Sequence, residues 1–299
     1  MGNGLIMLKL RILLQRLQLY LLRTGFIKDT SREMQLLLMP ILEKKKVSGT
    51  MGNDLESVGF NTYSPTYEDG ILLYIFSQIG MTNKKLVDLG AGIVKGSTVA
   101  NLIINHGFTG LLVENDAVNF KLLKDYYSRH PETNLFQPKI VAEFIKAGNV
   151  NQILEKNGLV DEIDLLCIDL DGMDYWIWKA IDTIRPRVAV IEYQDILGPK
   201  RSCTVPYQPG FNADDYVENK DHRNYCGASL QAMVKLGRDK DYRLVGCNKG
   251  GWNAFFILNG LGEDSLPEVS VESCFNYEWN RMGMKNRFPL IKEMEWEDV

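Results

Sequence analysis

The sequence predicts an α/β protein built on a mainly parallel, doubly wound sheet. Three observations carry that expectation. Apolar runs of strand length alternate with segments of helical length from residue 86 onward, and the first run ends in a glycine-rich loop. The last two runs, 242–247 and 254–258, close as a hairpin around Lys249-Gly250-Gly251. Such alternation places crossover helices on both faces of a parallel sheet, and the hairpin supplies an antiparallel last strand, giving seven strands in all.

Taken in order, 68–79 reads as a helix and Leu86-Val87-Asp88-Leu89-Gly90 as a buried strand. A helix over 97–106 is ended by Gly107, because glycine readily adopts the left-handed conformation of a helix C-terminus. Leu111-Leu112-Val113-Glu114 is the second strand, with a helix over 119–129 stopping before Pro131. The third strand falls in 135–142 and a helix in 149–156. Residues 163–168 form the fourth strand, 175–184 a helix that ends before Pro186, and 188–191 the fifth strand. Pro199, Pro206, Pro209 and Gly210 mark 198–226 as an irregular insertion, and 227–238 is again helical. Leaving the fifth strand at its carboxyl end, the insertion is expected to cover a substrate pocket. The polar, glycine-containing stretch 44–59 breaks the helical pattern before the sheet begins. The expected division is therefore a helical extension and linker over 1–59, a main domain over 60–262, and a tail over 263–299 that packs on it.

With 299 residues, 45% of them apolar, the chain can bury a core without disulfides or metals. A formal charge of −4 argues against a nucleic-acid binder with a general basic surface and favours a small partner. The charge is uneven: residues 1–50 hold nine Lys or Arg against three Asp or Glu, a net of +6 that leaves −10 on the remainder. Five widely spaced cysteines without a CxxC pair suit a reducing cytoplasm. Lys9, Arg11 and Arg16 interrupt the leucine-rich start far below membrane-spanning length. Ile6, Leu10, Leu13, Leu14, Leu17 and Leu21 share one helical face, with the basic residues off it. That stripe is expected to pack on its own domain or on a second subunit. The other reading is a peripheral contact with an anionic membrane, which Leu8, Ile12 and Leu19 on the opposite side make less clean. The Met-Gly start lacks the Ser or Thr of a myristoylation signal, having Ile6 there.

A doubly wound sheet binds ligands beyond the carboxyl ends of its strands, where strand order reverses. The first loop there reads Asp88-Leu89-Gly90-Ala91-Gly92-Ile93-Val94-Lys95-Gly96-Ser97. Its glycines let backbone approach a ligand, and the next helix opens with free N–H groups. Gly96 follows Gly92 by four residues rather than three, which disfavours a nicotinamide dinucleotide and hence an NAD-dependent oxidoreductase. Asp88 would repel a pyrophosphate but receive the ammonium of an amino-acid-like ligand, and Glu114 ends the second strand where an acid accepts ribose hydroxyls. S-adenosylmethionine has the ammonium and the ribose without phosphate. The expected cofactor positions are Asp88, Gly90, Gly92, Ser97 and Glu114, with Asp169 beside them. The alternatives are a tight turn and an exposed acid of no special role. At this point the sequence resembles the class I methyltransferases, in which such a loop and second-strand acid bind adenosylmethionine.

Three carboxylates, Asp169, Asp171 and Asp174, follow the fourth strand, and Glu192 ends the fifth. Adjacent strand ends converge, so Asp169, Asp171 and Glu192 are candidate catalytic residues and candidate ligands for a magnesium ion that would relieve their repulsion. That layout resembles catechol O-methyltransferase. The alternative is that Asp169 and Asp171 cap the next helix. The runs Ile168-Asp169-Leu170-Asp171-Gly172-Met173-Asp174-Tyr175-Trp176-Ile177-Trp178, Val190-Ile191-Glu192-Tyr193, Gly227-Ala228-Ser229-Leu230 and Asn253-Ala254-Phe255-Phe256 resemble the FkbM-type methyltransferases. The resemblance covers about residues 86–258 and implies a Rossmann-like fold that methylates hydroxyls of small molecules or sugars. Gln194 stands where that family's pattern expects Asn. Tyr175, Trp176 and Trp178 either stack on a ligand or belong to the core. In the insertion, Tyr207, Asp215, Tyr216, His222, Arg223 and Tyr225 are candidate substrate contacts, with His222 a candidate general base or else a surface histidine. His106 and His130 are expected at helix ends without a role, and Cys226 lacks the partners of a nucleophile. A methyltransferase fold that binds without turnover stays open beside the enzyme, as does a homo-oligomer.

Overall fold

In the computed structural model, residues 2–24, 30–45, 54–216 and 224–299 are described. A seven-stranded sheet forms from β1 (Lys85–Leu89), β2 (Thr109–Val113), β3 (Lys139–Val141), β4 (Asp161–Ile168), β5 (Ile184–Glu192), β7 (Tyr242–Cys247) and β8 (Asn253–Leu258). Its order is β3-β2-β1-β4-β5-β8-β7, with β6 (Cys203–Thr204) paired to β9 (Glu297–Asp298) apart from it. All neighbours from β3 to β5 are parallel, and β8 runs antiparallel between β5 and β7. The architecture is Rossmann-like, and strand order reverses between β1 and β4. There the crossover helices part to opposite faces and leave a crevice.

Alternate residues of the parallel strands serve opposite faces. Leu86, Leu112, Leu165 and Val190 pack beneath α3 (Glu68–Ile79), α4 (Ala100–His106) and α5 (Ala117–Arg129). Val87, Leu111, Leu166 and Ile191 pack beneath α6 (Val150–Lys156), α7 (Asp174–Ala180) and α8 (Leu230–Asp239). With both faces covered, each strand must be apolar throughout, which is why the strands read as continuous apolar runs. Trp178 lies in this second core, its ring 4.9 Å from that of Phe256, and Trp176 donates its indole N–H to the Val205 carbonyl. Beyond α8, Val271, Cys274, Phe275 and Ile291 join the same core around α9 (Glu278–Asn286).

Several element ends differ from the sequence expectation, each for a local reason. Instead of entering α4, Ser97 precedes it, and its hydroxyl accepts the N–H groups of Val99 and Ala100. Asp116 caps α5 through the N–H groups of Val118 and Asn119, so that helix starts at Ala117, before the expected residue 119. The stretch 135–142 contributes only three strand residues, and Leu135 and Phe136 are exposed. Pro186 lies inside β5, opposite Ile163, so α7 ends earlier than expected, at Ala180. Gly227 has φ +67°, and Ser229 caps α8 by accepting the Ala232 N–H, which delays that helix to Leu230.

The N-terminal helices α1 (Gly2–Arg23) and α2 (Ser31–Lys44) add an outer layer on the α3–α5 side. The stripe expected to hold α1 on the domain faces outward over its described part, where Leu10, Leu13, Leu14 and Leu17 are exposed. The opposite side makes the contact. Leu19 is buried, Gln15 donates to the Leu122 carbonyl, and the Arg16 guanidinium donates twice to Asp125. On α2, Gln35 is buried in a polar network with Asn101 and His106 of α4. Burial first, then Lys84 and Arg32, holds His106 down to about 4, so it is a neutral structural group. No helix among the described residues is long and apolar enough to cross a membrane.

Asp164 of β4 is the hub that fixes the start of β1. Its carboxylate accepts the backbone N–H groups of Thr82, Asn83 and Lys84, the Thr82 hydroxyl, and the Arg187 guanidinium at 2.8 Å. Arg187 also donates to the carbonyls of Ile79 and Gly80 at the end of α3. Burial alone would raise the Asp164 carboxyl, yet Arg187 and these N–H groups hold it below its ordinary value. Arg187→Met, which leaves that buried carboxylate uncompensated, is expected to cost roughly 3–5 kcal/mol in urea denaturation at neutral pH. Because the folded-state pKa is depressed, the contribution is present above the unfolded value and lost as pH falls. The difference from wild type should therefore shrink below about pH 4.

Candidate functional site

The loop after β1 is folded by the acid that follows β2. Glu114 accepts the Gly92 N–H at 2.7 Å through one carboxylate oxygen and the Asp116 N–H at 2.6 Å through the other. Gly90 and Ala91 donate to the Val113 carbonyl, and Gly96 to that of Tyr63. Glu114 is buried, which excludes an exposed acid of no special role. Burial raises its carboxyl and the Asp116 and Gly92 N–H groups oppose the rise. Gly90 has φ +93°, and a Cβ there would lie 1.8 Å from the Asp169 carbonyl oxygen. No other residue fits at that position. At Gly92 (φ +56°) and Gly96 (φ +111°) the space where a side chain would point is open, so backbone there borders a cavity.

That cavity, about 580 Å³, lies over the β1–β4 switch point, large enough for a nucleoside with an amino-acid arm. Asp88, Gly90, Gly92, Ser97, Glu114 and Asp169 all line it. Asp88 sits opposite Cys167 in the sheet register, and burial pushes its carboxyl up to about 7, with Glu114 adding to the rise and Cys167 opposing it. A positive charge placed beside so poorly compensated an acid would favour its ionised form.

The second half of the site follows from register. Ile168 of β4 pairs with Ile191 of β5, so the next residues, Asp169 and Glu192, emerge side by side. With Asp171 they offer carboxylate oxygens that all lie within 4.8 Å of one another. Neither Asp169 nor Asp171 is seen capping α7. Asp174 takes the local work instead, accepting the N–H groups of Leu170 and Gly172. The tight loop this creates puts Asp171 in the left-handed region at φ +51°. Burial pushes Asp169 up to about 8, with Asp174 and Asp171 adding to it. Glu192 is raised well above the usual carboxylate range by burial and by Asp169. Burial and mutual repulsion thus favour the protonated form of both Asp169 and Glu192.

Of the insertion residues, Tyr207 lines the cavity, and its hydroxyl accepts the Ala147 N–H. Phe211 stands on Gly172, where a Cβ would meet its ring at 2.4 Å. Tyr225 is directed away, donating its hydroxyl to the Glu295 carbonyl, and Asp215 does not reach the cavity. His222 and Arg223 lie outside the described residues, as does the side chain of Tyr216. Tyr175 packs in the core rather than on the cavity, as do Trp176 and Trp178. Cys226 accepts from the Gln194 amide, and burial raises its thiol, which leaves no thiolate for nucleophilic attack.

One wall went unread in the sequence. Glu143, Phe144, Ile145 and Lys146, following β3, line the cavity opposite the glycine loop, together with Asn115 and Asn119. The only sequence signal for 143–146 is position, since the carboxyl end of every parallel strand opens toward this crevice.

No family model and no curated protein sequence matches the chain. Among solved structures, it is similar to an O-methyltransferase from Bacillus cereus in complex with SAH. The identity is 14%, over 80% of this chain and 94% of that one, with a TM-score of 0.38. A SAM-dependent methyltransferase from Methanosarcina mazei is 11% identical over 58% of this chain and 90% of the other, at a TM-score of 0.33. Geranyl diphosphate C-methyltransferase from Streptomyces coelicolor A3(2), in complex with Mg2+, geranyl diphosphate and S-adenosyl-L-homocysteine, is 12% identical. It covers 73% and 82% of the two chains at a TM-score of 0.34. Likeness of this size identifies neither substrate nor reaction; the chemistry must come from the cavity.

Gly90→Ala tests the construction of the site. The added methyl would collide with backbone rather than with a mobile side chain. We expect a loss of roughly 2–4 kcal/mol of stability, or a displaced loop, read by thermal unfolding and by the protection of the Gly92 amide from hydrogen exchange.

Proposed function

We propose that the chain is an S-adenosylmethionine-dependent methyltransferase that methylates a hydroxyl of a small molecule or sugar. One observation carries the reading. Asp88 and Glu114, at the ends of adjacent strands, flank a glycine loop open to a cavity that Asp169 and Asp171 also line, with the Glu192 carboxylate within 4.8 Å of theirs. The residues fit the cofactor. Asp88 would pair with its ammonium, Glu114 retains lone pairs for ribose hydroxyls, and Gly92 and Gly96 leave room for close backbone approach. When bound, the cofactor supplies an electrophilic methyl on a sulfonium with a neutral thioether leaving group. The resemblance of the Ile168 to Trp178 run to FkbM-type enzymes supports an oxygen acceptor.

The chain's own residues then position and deprotonate the acceptor. In this reading one of the two acids, Asp169 and Glu192, is ionised and shares the proton of the other, and it accepts the hydroxyl proton as the oxygen attacks. Tyr207 and Phe211 border the cavity beside this pair and exclude water from it. A second reading of the same acids is favoured by their donor set. Three carboxylates within 4.8 Å fit a hard divalent cation, which would lower the acceptor hydroxyl's pKa. Exhaustive chelation separates the two: unchanged turnover assigns the step to the proton-sharing pair, and loss restored by Mg2+ assigns it to the cation.

The reading is tested by incubating the protein with labelled adenosylmethionine, candidate glycosides and cell extract, followed by mass spectrometry of the product. Calorimetry should give tight binding of S-adenosylhomocysteine and none of NAD; the reverse result removes the proposal. Because the ammonium pairs only with ionised Asp88, affinity for adenosylhomocysteine should rise about tenfold between about pH 6 and 8. In Asp88→Asn the profile should be flat and the binding weaker. Glu192 lies beside the acceptor end and does not line the cofactor cavity. Glu192→Gln should therefore lower kcat by roughly 10²- to 10⁴-fold while leaving adenosylhomocysteine affinity within about threefold.

A further inference from the structure

We propose that the outward faces of α1 and α2 dock this protein on an anionic lipid surface. The proposal does not depend on the methyltransferase reading. On α1, Leu10, Leu13, Leu14 and Leu17 follow helical spacing and form one continuous stripe, continued by Tyr20, with Leu13 64% and Leu17 52% exposed. On α2, Met34, Leu37 and Ile41 repeat the pattern, with Leu37 72% and Ile41 63% exposed. Both helices cover the α3–α5 layer, so both stripes point away from the same face of the sheet. The body contacts are already made by the opposite sides, through Leu19, Gln15 and Arg16 on α1 and through Gln35 and Leu42 on α2. Among the described residues nothing covers the stripes, and exposed apolar faces of this kind mark interaction sites.

Charge selects the occupant. The α1 sequence holds Lys9, Arg11, Arg16 and Arg23 and no acid. Arg16 is paired with Asp125, but Lys9, Arg11 and Arg23 have no acidic partner among the described residues. Helical spacing puts Lys9 and Arg11 on the two flanks of the leucine stripe, from which their long side chains reach headgroups while the leucines enter the acyl boundary. A second copy meeting the α1 stripe across a two-fold axis would bring these cations against one another on a helix that carries no acid, leaving only Glu33 and Glu43 of α2 on this face to offset them. An anionic bilayer receives Lys9 and Arg11 on both flanks. The net +6 of residues 1–50 against −10 on the rest adds a field that favours this face and opposes the others.

The test uses the full chain and sedimentation with vesicles of phosphatidylcholine alone or containing about a third phosphatidylserine. We expect binding to the anionic vesicles, at least about tenfold weaker binding to the neutral ones, and release by raised salt. Leu13→Glu combined with Leu17→Glu should abolish binding with an unchanged melting temperature, since both side chains are exposed in the folded protein. Lys9→Glu with Arg11→Glu should abolish the preference for phosphatidylserine by a route that leaves the apolar stripe intact. Failure to bind either vesicle overturns the proposal, as does undiminished binding by the leucine variant. Self-association in sedimentation equilibrium that the leucine variant removes, without vesicle binding, also overturns it and assigns the face to a second copy.

Discussion

Gly90 and Asp169 occupy the point where the first and fourth strands come too close for any side chain between them. The Asp169 N–H donates to the Leu89 carbonyl, and its own carbonyl fills the space a Cβ on residue 90 would need. This one contact fixes the glycine loop against the end of β4. Because β4 is in register with β5, it also fixes Asp169 beside Glu192. The glycine loop with Asp88 and Glu114, and the Asp169–Glu192 pair, built on four different strands, are thereby held to a common geometry; in the proposed function that is the condition for aligning two reactants.

The cost of that geometry is electrostatic. Asp88, Asp169, Asp174 and Glu192 are all raised, first by burial, and no cation among the described side chains stands close enough to reverse the shift. Asp164 is the counterexample in the same sheet. It is fully buried, yet Arg187 and three backbone N–H groups hold its carboxyl below the ordinary value. The strand-start acid is compensated and stabilises the fold, whereas the strand-end acids are left short of compensation. Unmet demand for positive charge at the strand ends is what the proposed binding of a sulfonium and an ammonium would answer.

Much of this was legible in the sequence, because strand-end positions follow from the alternation alone and the chemistry of their residues is local. Asp88, Gly90, Gly92, Glu114, Asp169 and Glu192 were readable for that reason. Element ends were less so: whether Ser97 enters a helix or caps it depends on two N–H groups that meet it only after folding. The work of Asp174 was hidden for a similar reason, since three acids in six residues look alike until the turn at Asp171 decides which one faces the loop N–H groups. The wall at 143–146 carried no motif, following a strand of three residues. On α1, periodicity revealed a stripe but not its direction, because a helix with apolar residues on two sides can be held by either.

That last ambiguity is resolved by polar contacts rather than by hydrophobicity. Gln15 and Arg16 find specific partners on α5, a carbonyl and a carboxylate, and these pin the Leu19 side inward. With rotation about the helix axis so fixed, the more regular leucine stripe is left outside together with Lys9 and Arg11, which have no acidic partner among the described residues. The rest of the chain carries its excess of acid. On this face, apolar burial and electrostatic attraction act in the same direction toward an anionic surface.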